Sequence, residues 1–349
     1  MQTYIEWLLN QINANATDIS VQLEERVGLT LEGRSRRRKS LQLMTTWDTL
    51  YKALRVPLAD ICYCLDSDLT RLMIVDGQVR VQFANGYKTF GDFLVGADGV
   101  NSACRDLLTN ERLVATYSGY VAWCGLEEET SLPPAMVKAL SGCFTSYHAA
   151  GMQILCYLVP GVDGATQPGT RRVNWTWYVN TPAKELPRIM IGQSGKLYSS
   201  FLPPGEVKEE VRAQLLSLSK KALPPIFQEL VDASTPFLQA VLDVAPQPRL
   251  YHHAALIGDA AGTLRPHTTS GTLKEFNDAA LLGMALQGWN SDLPIPRARL
   301  RSWERQRQGE LMALSDLGKG SVAGAVLGTE SHYQPWTGVR CNSNKLNDN

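Results

Sequence analysis

The stretch that most restricts what this chain can fold into is Ala254-Ala-Leu-Ile-Gly258-Asp259-Ala-Ala-Gly-Thr-Leu-Arg265-Pro266-His267-Thr-Thr-Ser-Gly271-Thr272-Leu-Lys274. It predicts a short buried strand over 254–257 that delivers an acidic residue at its C-terminal end. A proline-containing loop then turns the chain, and Gly271 opens a helical run that reaches Leu286. In an open α/β sheet such an order places the acidic residue and the free N–H groups of the helix start at one crevice, outside the carboxyl ends of the strands. A crevice of this kind suits a polyhydroxy, electron-accepting ligand. Asp259 can accept hydrogen bonds from its hydroxyls, and the helix start near Gly271 and Thr272 can stabilise negative charge on it. A bare Gly-Asp turn after a strand is common; the length of the string gives the signal its weight.

A second strand-turn-helix junction is written as Val95-Gly-Ala-Asp98-Gly99-Val-Asn-Ser102-Ala-Cys-Arg105. Gly99 permits the tight turn and Ser102 is placed to cap a helix. Arg105 can then meet a phosphate, orient Asp98, or simply face solvent. The junction follows a period-two stretch from Thr70 to Val95, in which Val79, Val81 and Phe83 alternate with polar residues between the turn pairs Asp76-Gly77 and Asn85-Gly86. That pattern predicts a small antiparallel meander, running into a buried strand at Phe93-Leu94-Val95.

Elsewhere, helical spacing marks Tyr4, Trp7, Leu8 and Ile12, and again Trp47, Leu50, Tyr51 and Leu54 behind the candidate caps Thr45 and Thr46. Arg34-Ser-Arg36-Arg37-Arg38-Lys39 between them reads as a solvated loop, with a phosphate or nicotinamide contact as the sharper alternative. Residues 117–180 are rich in strands and aromatics, and form one sheet of an inserted domain. Helices are expected over 204–218, 223–230 and 303–314, and the polar end beyond Gly328 reads as a disordered tail. His252-His253, taken as a strand-edge pair, point to opposite faces and make a poor metal site.

Composition narrows the function classes. Thirty-four basic residues balance thirty-four acidic ones among 349, so no global field draws nucleic acid or an anionic membrane. The seven cysteines are odd in number and lack zinc-pair spacing. With no leader and no run of about 20 apolar residues, they point to a soluble, cytoplasmic protein in a reducing compartment.

Together the two junctions resemble the second FAD-contact motif and the Asp-Gly motif of the class A flavoprotein monooxygenases, the para-hydroxybenzoate hydroxylase family. The form Arg-Pro-His-x-x-x-Gly-Thr is closest to the 2,6-dihydroxypyridine 3-monooxygenase branch. Asp259, Pro266 and Gly271 fall on the family motif, while Gly262 departs from it at a loop position. Thr45-Thr-Trp47-Asp48, Tyr117-Ser-Gly119, Asn174-Trp-Thr-Trp177-Tyr178 and Trp303-Glu304-Arg305 extend the likeness over about residues 20–325. Cys124 stands where the branch usually has Arg.

The resemblance implies an α/β (α+β) fold. A glutathione-reductase-like FAD domain, formed by residues 1–116 and 246–315, would be interrupted by a β-sheet substrate domain at 117–245 and followed by a partly disordered segment at 316–349. It implies FAD contacts from Gly258, Asp259, Pro266, Gly271, Thr272, Asp98, Gly99 and Arg105, a catalytic role for His267, and a substrate contact from Tyr178, with no metal. NADH or NADPH would reduce the flavin, O2 would add to give a C4a-hydroperoxide, and a small aromatic or N-heteroaromatic ring would be hydroxylated. A homodimer is compatible with this reading. The family also carries a Gly-x-Gly-x-x-Gly turn that these residues do not contain; Gly318-Lys-Gly320-Ser-Val-Ala-Gly324 has the wrong final spacing. An N-terminally truncated chain is therefore expected. The competing readings are a non-catalytic remnant and a related flavoenzyme such as a halogenase or reductase.

Overall fold

A computed structural model describes residues 19–56, 63–268, 270–319 and 327–328. The helix expected over residues 3–12 and nearly all of the segment read as a disordered tail lie outside the described residues. In chain order the elements are β1 (Val21–Leu29), β2 (Ser35–Met44), α1 (Trp47–Arg55), β3 (Leu69–Val75), β4 (Gln78–Phe83), β5 (Lys88–Gly91) and β6 (Leu94–Gly96). Next come α2 (Ala103–Thr109), β7 (Thr116–Glu128), α3 (Pro134–Leu140), β8 (Cys143–Ala149), β9 (Met152–Val159), β10 (Arg172–Asn180), α4 (Leu186–Ile189) and β11 (Phe201–Leu202). The chain continues through α5 (Glu209–Ala222), α6 (Pro225–Asp232), β12 (Phe237–Asp243), β13 (Leu250–Tyr251), β14 (Ala254–Leu256), α7 (Gly271–Leu286) and α8 (Arg297–Lys319). The fold is mixed α/β.

Contacts divide the chain into two compact units, one of residues 1–58, 118–241 and 321–349, the other of 59–117 and 242–320. In the first, eight strands form a sheet of order β11-β12-β7-β10-β9-β8-β1-β2. β1 runs parallel to β8, and β7, β10, β9 and β8 are successively antiparallel. Residues 21–44, placed with the cofactor domain on sequence grounds, instead complete this sheet. Val21, Leu23 and Val27 alternate with polar residues and bury one side of β1, a period-two signal that the charged segment after it obscures.

The basic run is not a loop. Arg36, Arg37, Arg38 and Lys39 lie on β2, the outer strand, opposite Gly28, Val27, Arg26 and Glu25. Extended backbone with long charged side chains is a common way to finish an exposed sheet edge. The second helix of the sequence reading does form as α1. Thr46 caps it, accepting a hydrogen bond from the Thr49 amide at 3.3 Å, and Trp47 stacks on Tyr51 with ring centroids 5.1 Å apart. Later helices shift relative to expectation. α5 starts only at Glu209, after Gly205 at φ +83° has taken the chain out of any helical path, and α8 runs well beyond the expected 303–314 at both ends.

Alternation along β10 sends Trp175 and Trp177 to one face and Tyr178 to the other. Both indoles are fully buried, and the Trp175 N–H donates to the Ser234 hydroxyl at 2.9 Å, just after α6. Opposite Trp175 on β7 stands Gly125, and a Cβ there would overlap the indole ring. Gly125→Ala should therefore destabilise the protein by about 1–3 kcal/mol through overpacking, read as a lowered urea midpoint with unchanged slope; an unchanged midpoint would show that the indole has room to move.

The second unit holds two three-stranded sheets, β13-β14-β6 and β3-β4-β5. The latter is the expected meander, and Asp76 and Gly77 both adopt positive φ (50° and 77°) in its first turn. β6 is shorter and less enclosed than a buried run, with Val95 42% exposed. His252 and His253 occupy the turn between β13 and β14 rather than a strand, and His253 Nδ1 lies 3.0 Å from the Asp92 carbonyl. Among the described residues no group of His, Cys, Asp or Glu could hold a metal ion. No described helix is long and apolar enough to cross a membrane, and Cys104, Cys124, Cys143 and Cys156 are buried free thiols.

Candidate functional site

β6 and β14 pair in parallel, Leu94 with Ala254 and Gly96 with Leu256. The two junctions singled out in the sequence therefore leave the sheet at the same end, side by side. The approach is close: a Cβ on Gly96 would stand 2.7 Å from Leu256 and 2.8 Å from Cys104. After β6, the Asp98 carboxylate accepts the Ser102 hydroxyl at 2.5 Å and the Cys104 amide at 2.9 Å, while Ser102 caps α2 through the Arg105 amide at 2.9 Å. Gly99 holds φ +78° with open space where a side chain would stand.

Arg105 neither faces solvent nor meets Asp98. Only 1% exposed, its guanidinium turns inward and donates to the carbonyls of Val100 (3.1 Å) and Ala260 (3.4 Å). Its position in the first turn of a short helix points it back at the turn after β14, so it ties the two junctions together rather than projecting into solvent or onto Asp98.

That second turn is held from α7. Gly258 adopts φ +62°, and a Cβ there would overlap the Glu275 carboxyl group. Its amide donates to Asp278 Oδ2 at 2.9 Å. Asp259, the next residue, keeps a side chain 43% exposed while one carboxylate oxygen lies 2.9 Å from Lys274 Nζ. Lys274 is buried and also donates to the Gly262 carbonyl at 2.7 Å. Burial raises the Glu275 pKa above the usual carboxylate range; Lys274 opposes the shift and the neighbouring Asp259 adds to it. Beneath them Asp278 is fully buried between Arg249 (2.7 Å) and Arg307 (2.7 Å). The main-chain amides of Arg249 and Leu250 in turn donate to Glu304 at 3.0 and 2.9 Å.

The loop between Asp259 and α7 is pinned by Arg265, which meets Asp243 at 2.8 Å. Pro266 begins a short 3-10 turn that carries His267 inward, leaving it 4% exposed. Burial, then the nearby Arg265 charge, pushes the imidazole pKa down to about 4 against a weaker pull from the Gly318 backbone and Asp243. The catalytic reading of His267 thus meets a buried, neutral ring with a loop-packing position. At the start of α7 no side chain caps the helix, Ser270 standing at the cap position, and Gly271 faces open space. Thr272 follows in the first turn, whose leading N–H groups lack partners within the helix itself.

In the first unit, Tyr178 is 6% exposed and packs edge-on against Tyr120, with centroids 6.1 Å apart. Burial, then Cys124, holds its hydroxyl well above the ordinary phenol range, so it is a neutral donor. Cys124, at the position where the branch has Arg, is itself buried, its thiol pushed up to about 12. Next to Tyr178 across the sheet lies Gln153, and next to that His148. The buried Gln153 Oε1 and His148 Nδ1 have no hydrogen-bond partner among the described residues, an arrangement that costs free energy unless something completes it.

Residues 117–243 match the family described as FAD binding domain-like. The chain is 27% identical over 264 residues, 75% of its own length and 64% of the relative's, to 2,6-dihydroxypyridine 3-monooxygenase of Paenarthrobacter nicotinovorans. To an FAD-dependent urate hydroxylase of Klebsiella pneumoniae it is 28% identical over 66% of this chain and 51% of that protein. The chain thus spans between half and just under two-thirds of these curated relatives. Its fold is shared with the 2,6-dihydroxypyridine-3-hydroxylase of Arthrobacter nicotinovorans (TM-score 0.83, 23% identity, covering 95% of this chain and 84% of that one). It is shared also with Klebsiella pneumoniae HpxO in complex with FAD and uric acid (TM-score 0.70, 20% identity, 90% and 76%).

Sequence reasoning named the turn residues Asp98, Gly99, Gly258 and Asp259 and missed those that hold the second turn: Lys274, Glu275, Asp278, Arg249 and Arg307. The four-residue spacing of Lys274 and Asp278 on one helix was the available signal. The depressed His267 pKa also gives a test. A histidine that stays neutral when folded stabilises fully above its unfolded pKa near 6.5, and that contribution drains away as pH falls toward 4. Stability should fall between pH 6.5 and 4.5 with a His267 component of no more than about 1.4 kcal/mol per pH unit. In His267→Gln that component should vanish from chemical denaturation curves taken across the range; identical pH slopes in the two proteins would refute the assignment.

Proposed function

We propose that this chain is the FAD-holding and substrate-holding part of an NAD(P)H-dependent monooxygenase acting on a small aromatic or N-heteroaromatic ring. The observation that carries the cofactor reading is the meeting of three features in the second unit. The Asp98-Gly99 turn, the Gly258-Asp259 turn and the uncapped start of α7 share the carboxyl end of one parallel strand pair. These residues fit the group. Asp259 offers an exposed carboxylate oxygen to sugar-like hydroxyls, Gly99 and Gly271 leave room for close approach, and the helix N-terminus favours negative charge on an electron-rich ring edge. The finer architecture we infer is a glutathione-reductase-like cofactor domain interrupted by a substrate-binding sheet domain.

When bound and reduced, the flavin supplies the oxygen-activating chemistry. The chain's own residues do the rest: Asp98 fixes its turn through Ser102 and the Cys104 amide, Arg105 braces the two turns, and Asp259 and α7 bind and orient the group. Tyr178, with the unpaired Gln153 and His148 atoms beside it, offers donors and acceptors for a hydroxylated, nitrogen-containing ring. The hydroxypyridine and urate substrates in the names of the relatives support that class.

The purified chain should take up FAD, seen as quenched flavin fluorescence. Asp259→Asn should weaken that binding by about ten-fold, the scale of one hydrogen bond to a charged group. A chain that leaves flavin fluorescence unchanged would overturn the cofactor reading.

A further inference from the structure

The two residues that grip the 258–262 turn come from one face of one helix. Lys274 and Asp278 are four apart on α7, so they lie one above the other. Lys274 holds the Asp259 side chain and the Gly262 carbonyl at the far end of the turn; Asp278 holds the Gly258 amide at the near end. Neither side chain is free to face a ligand, since Lys274 is 1% exposed and Asp278 fully buried. The turn also needs the help. Gly258 sits at φ +62° against the Glu275 carboxyl group, a state glycine reaches without strain but only as one of many open to it, so its surroundings must select it.

We infer that Lys274 and Asp278 are positioning residues that preset the Gly258–Gly262 turn for cofactor binding, acting through Asp259 and the Gly258 amide without touching the cofactor. The inference rests on the cofactor reading above.

Its physical content is preorganisation. Asp259 has to present one carboxylate oxygen outward while the other is neutralised. Lys274 does this: its ammonium takes Asp259 Oδ1 at 2.9 Å and sits 3.4 Å from Glu275. Without it, Asp259 and Glu275 would be two adjacent carboxyl groups with no cation between them, and Asp259 would be free to swing. Asp278 in turn is fixed by two guanidinium groups, Arg249 on Oδ2 and Arg307 on Oδ1, so the acceptor for Gly258 cannot rotate away. A ligand that must order the turn itself binds more weakly by the cost of that ordering.

The test compares Lys274→Met, Asp278→Asn and Leu300→Ala. Leu300 is a fully buried residue of the apolar cluster with Ala255, Leu282 and Trp303 and has no part in the site, so its truncation supplies a loss of stability without a loss of the clamp. Two quantities are read: FAD affinity by fluorescence titration, and amide hydrogen exchange of the 255–262 backbone in the ligand-free protein, well below each variant's melting temperature. Lys274→Met and Asp278→Asn should each weaken FAD binding at least ten-fold and speed exchange in that segment. Leu300→Ala, for an equal fall in melting temperature, should change affinity less than two-fold. Affinity losses that simply track melting temperature in all three, or unchanged exchange in both clamp variants, would overturn the inference. If Asp278→Asn fails to fold, Lys274→Met decides alone. Asp259→Asn run beside them separates the two levels: full FAD affinity in that variant defeats the cofactor reading, whereas a loss there with none in Lys274→Met defeats the clamp.

Discussion

The buried carboxylate of Asp278 is the contact on which the second unit depends. It lies between two guanidinium groups from different parts of the chain, Arg249 beside β13 and Arg307 in α8, and still accepts the Gly258 amide. One side chain therefore fastens α7 to the final helix, to the hairpin and to the turn that carries Asp259. Burying one acid with two bases is costly to desolvate, and part of that cost is not offset, since Arg249 Nε and Nη2 find no hydrogen-bond partner among the described residues. Arg307 offsets its surplus charge through Glu310, and Glu304 takes the amides of Arg249 and Leu250. The Trp303 indole closes the group by donating to the Asp278 carbonyl at 3.3 Å.

Much of the fold was legible in the sequence because its signals are local. The meander was readable because Asp76-Gly77 and Asn85-Gly86 demand positive φ, and α1 because Thr46 precedes a run of helical spacing. The strand-turn-helix junctions were readable because each is written as one long contiguous string rather than as a bare Gly-Asp turn. What stayed hidden depended on partners far away in the chain. β1 and β2 were obscured because a cationic run reads as loop until its neighbour is known, and β1 pairs with β8 more than a hundred residues later. Arg105 was misplaced for the same reason: its acceptor at Ala260 lies 155 positions downstream. His267 reads as a loop residue, and nothing in the local sequence foretells that its ring is buried.

The large sheet divides its labour between its two faces. One carries Trp175, Trp177 and the Gly125 notch that admits an indole, and it is closed by core packing. The other carries Tyr178 beside Gln153 Oε1 and His148 Nδ1, two buried atoms that find no hydrogen-bond partner among the described residues. A strand with period two supplies both from one segment, so the tryptophans that look most like a ring-binding wall are the ones committed to the interior.

The two borders of that sheet are finished differently. At one end β11 is two residues long, too short to template another strand; at the other, β2 is long but lined with Arg36, Arg37, Arg38 and Lys39. A copy of the protein pairing there edge to edge would set cation against cation, so self-association through β2 is disfavoured by charge alone. That protection is electrostatic and therefore conditional. At an ionic strength near 1 M, where charges are screened within about 3 Å, the same border becomes an exposed row of hydrogen-bonding groups, and the protein's colloidal behaviour becomes a matter of salt.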